Sequence, residues 1–279
     1  NTSAWMLRPV IEELETILEP KEFRGICLLL ATKATEDPEK GQALLEILPD
    51  LQSKFAEPLI SNEQLRELID AKDDLGWGWG IAPVILLLPE AERTSALRSA
   101  LPRINATARS GFLLDMLATS KAPLGAPLTE YFKEIFPESL EEADMDSMTY
   151  RVNSLGSLSV NHEAALTICE ALITADPELH GARSARLSLL EKLGRLDEAL
   201  ALAPEDWKAV SGNSDYYATR AKIAIEALLT EHDFDALLVC IDQTPGDDPI
   251  ADTIARVNLL QRNDRKEQAL ELLEVALGE

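Results

Sequence analysis

Positive charge is in short supply in this 279-residue chain: 26 Lys and Arg stand against 49 Asp and Glu, a formal net charge of −23. A nucleic-acid backbone or an anionic membrane surface needs clustered positive charge, so neither is expected as a partner. Aromatic residues make up only 5% of the chain within an apolar content of 46%, which leaves Leu, Ala and Ile to build a core. Those residues favour helices, whereas strands draw on aromatic and β-branched side chains. No apolar run approaches the ~20 residues of a membrane span; the longest, residues 81–88, contains Pro83 and stops at Pro89. Cysteine is limited to Cys27, Cys169 and Cys240. An odd number at wide spacing supplies neither a disulfide framework nor a zinc-binding pair, so buried thiols in a reducing compartment, the cytoplasm, are expected. The opening Asn1-Thr-Ser-Ala-Trp lacks the basic-then-apolar pattern of a secretory leader, and its start without Met is that expected of a piece of a longer protein.

Helix punctuation, by contrast, is plentiful. Pro9 opens a segment that Pro20 closes, Asp37-Pro38 caps a second, Asn62 precedes a third, and Pro89 starts a fourth that ends before Pro102. A small polar residue before a helix, Pro in its first turn and Pro beyond its end are the expected boundary signals. Segments of alternating β-branched residues are lacking, so the sequence predicts an all-α fold.

The second half repeats itself. The stretches 161–177, 194–200, 232–237 and 264–270 each carry a short polar turn, an acidic or amide residue, and then Ala-Leu. Aligning Ala165, Ala199, Ala236 and Ala269 gives intervals of 34, 37 and 33. Ala165, Ile168, Cys169 and Leu172 fall at i, i+3, i+4, i+7, one apolar helical face, and Ala269, Leu272, Leu273 and Ala276 do the same.

A period of ~34 residues built as helix, turn, helix is that of the tetratricopeptide repeat. The residues resemble that family beyond spacing: Gly194-Arg-Leu-Asp-Glu-Ala-Leu is similar to its turn and second-helix start, and Ala165 to Pro177 to its second helix, with Asp-Pro at the close. Pro204 departs from the pattern, and residues 204–215, with Trp207 and Gly212, read as an insertion that cuts the second helix short. The resemblance spans residues 146–279. It implies a right-handed α-α superhelix of about four helical hairpins in residues 141–279, preceded by an irregular helical domain in residues 1–140, with a soft boundary near Glu138–Asp146. Residues 1–140 carry a net −8 and residues 141–279 a net −15.

The same resemblance implies function. Such stacks hold protein or peptide ligands in a concave groove with first-helix side chains, here Tyr150 and Ser154, then Ser184, Ser188 and Lys192, then Asn258 and Arg262. Two basic residues among small hydroxyls do not reproduce the family's carboxylate clamp, so a basic or extended partner is expected of this acidic groove. The expected role is a protein–protein interaction scaffold without a cofactor. The alternatives are an accessory helical region of a larger enzyme, or a helical enzyme whose site the sequence hides.

Catalytic motifs are sparse. Gly76-Trp77-Gly78-Trp79-Gly80 has the glycines of a phosphate-binding loop but lacks the later Gly, and no Gly-Lys-Ser/Thr follows. Trp77 and Trp79 are expected to wedge two helical layers, with an aromatic anchor for a partner as the alternative. His162, His180 and His232 form no metal-ligand spacing, and no metal site is expected. The final helix, residues 267–278, is apolar on most sides. That pattern predicts a continuing chain, docking on the N-terminal half, or two copies paired through it, with either Leu272 and Val275 or Leu270 and Leu277 uncovered.

Overall fold

A computed structural model describes residues 4–36, 42–70, 78, 80–120, 122–143, 145, 148, 151–152, 155–156, 159–244 and 249–277. Among them are fifteen α-helices and no β-strand, so the fold is all-α. By its own contacts the chain divides into two compact units, residues 1–199 and 200–279. The boundary read from sequence, between residues 140 and 141, lies inside the first unit, where the helices on either side of it pack together.

The first unit comprises α1 (Ala4–Ile17), α2 (Pro20–Glu36), α3 (Gln42–Gln52), α4 (Asn62–Asp70), α5 (Ile81–Leu87), α6 (Glu90–Ala100), α7 (Arg109–Thr119), α8 (Ala126–Ser139), α9 (His162–Ala175) and α10 (His180–Lys192). Its centre is α5, a seven-residue helix that buries Ile81, Ala82, Val84 and Ile85. A helix apolar all round must be covered all round, and α3, α4, α6 and α7 pack against it. Ser61 and Gln64 cap α4 reciprocally, each side chain accepting from the other's backbone N–H at 3.2 and 3.1 Å. That is a capping box, which satisfies N–H groups the first turn would leave bare.

Helix α11 (Leu196–Ser211) carries the chain into the second unit, which continues with α12 (Tyr216–His232), α13 (Phe234–Gln243), α14 (Pro249–Arg262) and α15 (Lys266–Leu277). The expected break at Pro204 is absent: α11 runs through it to Ser211. An interior Pro costs roughly 3 kcal/mol in lost backbone bonding and ring clash. Here Ala199, Ala203, Trp207 and Val210 form one row buried to 3% exposure or less, and that burial offsets the cost and keeps the helix continuous. Residues 204–211 are therefore helix rather than insertion. Trp207 fixes the row further, its indole N–H donating to Thr244 Oγ1 at 2.8 Å while Lys222 lies over the ring at 5.2 Å. Pro9 likewise lies inside α1 instead of opening a helix.

The aligned alanines behave alike at three of four positions. Ala165, Ala199 and Ala269 are buried, at 0, 0 and 2% exposure, and Ala236 is half-buried. The turns before two of them are also the same. Gly194 and Asp264 sit in the left-handed region at φ 71° and 58°. The following N–H of Arg195 donates to Leu190 C=O, and that of Arg265 to Leu260 C=O, each at 2.9 Å. This is the six-to-one bond of a Schellman motif.

Candidate functional site

Five of the nine residues singled out from sequence fall among those described. Tyr150, Ser154, Trp77 and Trp79 lie outside them. Ser184, Ser188 and Lys192 share one face of α10, but two of them serve the fold's own bonding. Ser188 Oγ donates to the Gly156 carbonyl at 3.4 Å, and the Lys192 ammonium donates to that same oxygen. A Cβ at Gly156 would stand 3.2 Å from Ala185 Cα, so glycine there is what lets the two segments approach closely enough for those bonds. Asn258 and Arg262, in the second unit, are exposed on α14.

The second unit exposes more than the sequence reading found. Helix α12 buries Ala218, Ala221, Ile225, Leu228 and Leu229 and presents the opposite row, Tyr216, Arg220, Ile223 and Ala227, to solvent. Tyr216 is 65% and Ile223 60% exposed. Helix α14 buries Val257 and Leu260, but Ile250 and Ile254 on the adjoining ridge stand 72% and 55% exposed. They continue at i+4 steps into Asn258 and Arg262. The i+4 spacing of Ile250, Ile254, Asn258 and Arg262 is legible in the sequence and places both isoleucines on the ridge of the two polar residues. The cover over α14 comes from α15, whose Leu272 and Leu273 pack with Phe234 and Leu238 around Val257, Leu260 and Ala269. Of the two pairs expected to lie uncovered on α15, Leu270 and Val275 are 60% and 72% exposed and Leu272 is half-buried against this cluster, while the Leu277 side chain lies outside those described.

The first unit holds a cavity of about 390 Å³, within the size range of small-ligand pockets. Its walls come from four helices and the glycine loop: Arg8 of α1, Glu46 and Asp50 of α3, Pro83 and Leu86 of α5, Phe112 and Asp115 of α7, Gly78 and Gly80, and Arg151. Gly78 has φ 70°, and a Cβ there would come within 2.7 Å of the Phe112 ring. The backbone at Gly78 therefore comes this close to the Phe112 ring only because the position lacks a side chain. Two ion pairs stand in the lining. Arg8 meets Asp50 at 3.2 Å, and Arg151 pairs with Asp115. Gly111 makes room for the second pair, since a Cβ there would stand 3.0 Å from the Arg151 guanidinium. Burial pushes the Asp115 carboxyl above its ordinary range, with Arg151 pulling it partly back.

Among the described residues no group of His, Cys, Asp and Glu is arranged to hold a metal ion, and no helix is long and apolar enough to cross a membrane. The Cys169 thiol is wholly buried, and desolvation pushes it up to about 12.

No family model matches the chain, and neither curated proteins nor solved structures gave a match to it.

Proposed function

We propose that this protein is an interaction scaffold of tetratricopeptide-like hairpins that binds a basic, extended segment of another protein along the exposed sides of α12 and α14. One observation carries the reading: Tyr216 and Ile223 on α12, and Ile250 and Ile254 on α14, are more than half exposed in a stretch, residues 200–279, of 16 acidic and 7 basic side chains. Large apolar groups left in water favour contact, and Tyr is enriched at binding hot spots. The surrounding carboxylates add steering of a cationic partner, which weakens as salt screens it. Asn258 and Arg262 supply polar contacts on the same ridge. The buried free thiols Cys27, Cys169 and Cys240 support a place in the reducing cytoplasm.

The test is affinity capture from native lysate with mass spectrometry, run beside a Tyr216→Ala/Ile254→Asp double variant. The reading expects a basic partner held by the natural chain, lost from the variant, and retained less as salt rises. The same proteins captured by both chains would defeat it.

A further inference from the structure

An open hollow on α12 is lined by Ile223, Glu226, Ala227, Thr230 and Glu231, all from this one helix. By helical geometry Ile223, Ala227 and Thr230 fall in one strip, with Glu226 on one edge of it and Glu231 on the other. The strip is open to a partner: Ile223 is 60% exposed, and the buried residues of the helix lie on its far side. The carboxylates on its edges are open too. Both long cations of α12 are turned to aromatic rings, Arg220 to Tyr216 at 5.8 Å and Lys222 to Trp207 at 5.2 Å. Lys222 stands at i−4 from Glu226, the spacing of a helical ion pair, yet it goes to Trp207, and no cation among the described residues meets Glu226. Glu231 faces His232 at 3.9 Å, beyond hydrogen-bond reach. The exposed ridge of α14 ends instead on Arg262, itself a cation, so selection of basic residues falls to α12.

On the reading of α12 and α14 as a partner surface, we infer that this hollow takes a segment in which a bulky apolar residue stands between two basic ones, the apolar side chain on Ile223 and Ala227 and the basic heads at Glu226 and Glu231. Carboxylates on both edges of the strip ask for positive charge on both sides of the apolar group, rather than for a basic run beside it. Glu226 and Glu231 are separated by about 7.5 Å along the helix axis, and an extended chain advances about 3.3 Å per residue. The two basic residues therefore stand at i and i+2 or i+3. The methylene stems of Lys and Arg add to the fit, since they lie along apolar surface while their heads reach outward to the carboxylates.

Fluorescence anisotropy on the whole chain tests this with labelled peptides in a Gly-Ser background. One holds Lys-Leu-Lys, one has the same composition with the Leu moved to the far end, and one holds Glu-Leu-Glu. The first should bind saturably and tightest, and the acidic one should not bind. Glu226→Gln/Glu231→Gln should weaken the first about tenfold, the size expected when two rim charges facing a ligand are lost. Glu231→Gln alone, at an exposed position, should lose part of that if the double variant fails to fold. Glu271→Gln/Glu274→Gln removes the same charge from exposed positions on α15 and should change the affinity little. Equal affinity for the first two peptides, equal binding of the acidic one, unchanged affinity in both α12 acid variants, or an equal loss in the α15 variant would overturn the inference. If the Tyr216→Ala/Ile254→Asp chain loses the first peptide while Glu226→Gln/Glu231→Gln keeps it, the partner surface stands and this pattern falls. If neither loses it, or no peptide binds, both fall.

Discussion

Gly194 and Asp264 hold the same left-handed turn at equivalent places two expected repeat lengths apart, each followed by an N–H that reaches back to the carbonyl five residues earlier. One position is filled by the residue that tolerates this backbone and the other by a residue that tolerates it less well. Exchange at the two sites should therefore have opposite signs. At Gly194 nothing lies within 4 Å of an added Cβ, so Gly194→Ala meets no clash and its whole cost is backbone strain, about 1 kcal/mol or somewhat more. Asp264→Gly should stabilise, by a few tenths of a kcal/mol up to about 1. Chemical denaturation of the two variants checks both signs.

Ala199 and Ala236 occupy the same position in the repeat alignment but not the same environment, being fully buried and half-buried respectively. Ala199→Leu should cost about 1–3 kcal/mol by overpacking, whereas Ala236→Leu should cost well under 1. Thermal melts of the pair would read the difference; equal losses would mean that the small residue at Ala199 is not needed for helix approach.

The contrast between these alanines marks what was legible in the sequence. Helix class, the turns at Gly194 and Asp264 and the burial of Ala165, Ala199 and Ala269 all follow from local spacing. Proline boundaries misled because a helix interior can hold Pro204 when the row Ala199, Ala203, Trp207 and Val210 is buried; that burial depends on the partner helices, which local spacing does not encode. The bonds of Ser188 and Lys192 to Gly156 depend on contacts more than thirty residues away in the chain. The cavity escaped for the same reason: Arg8, Asp50, Asp115 and Arg151 come together only through packing around α5.

Leu272 and Val275 form one of the two pairs that the sequence pattern leaves uncovered, and the structure separates them. Leu272 packs on the Val257–Leu260–Ala269 cluster while Val275 is 72% exposed. Leu272→Lys should cost ~1–2 kcal/mol of lost apolar burial, and Val275→Lys should stay within about 0.5. Light scattering on Leu270→Lys/Val275→Lys checks a second consequence. If two copies pair through α15, the natural chain scatters as a dimer and this variant as a monomer.

Cys169 offers a pH-dependent readout. Its folded value of about 12 lies above the ordinary 9.0, because burial disfavours the thiolate. The folded state therefore holds this proton more tightly than the unfolded one. The stability it contributes is fully present below 9.0 and is lost as pH rises through about 12. At mildly alkaline pH the native thiol should resist iodoacetamide, and its labelling should follow the unfolding curve in denaturant. Fast labelling without denaturant would contradict the burial.

The central claim, that α12 and α14 present a surface for a basic segment, is tested most directly by selection of a random displayed-peptide library on the intact protein, in parallel with the Tyr216→Ala/Ile254→Asp variant. The account predicts that the natural chain enriches peptides rich in Lys and Arg with interspersed apolar residues, and that the variant loses them. No enrichment, enrichment of acidic or uncharged sequences, or the same sequences on both chains would contradict it.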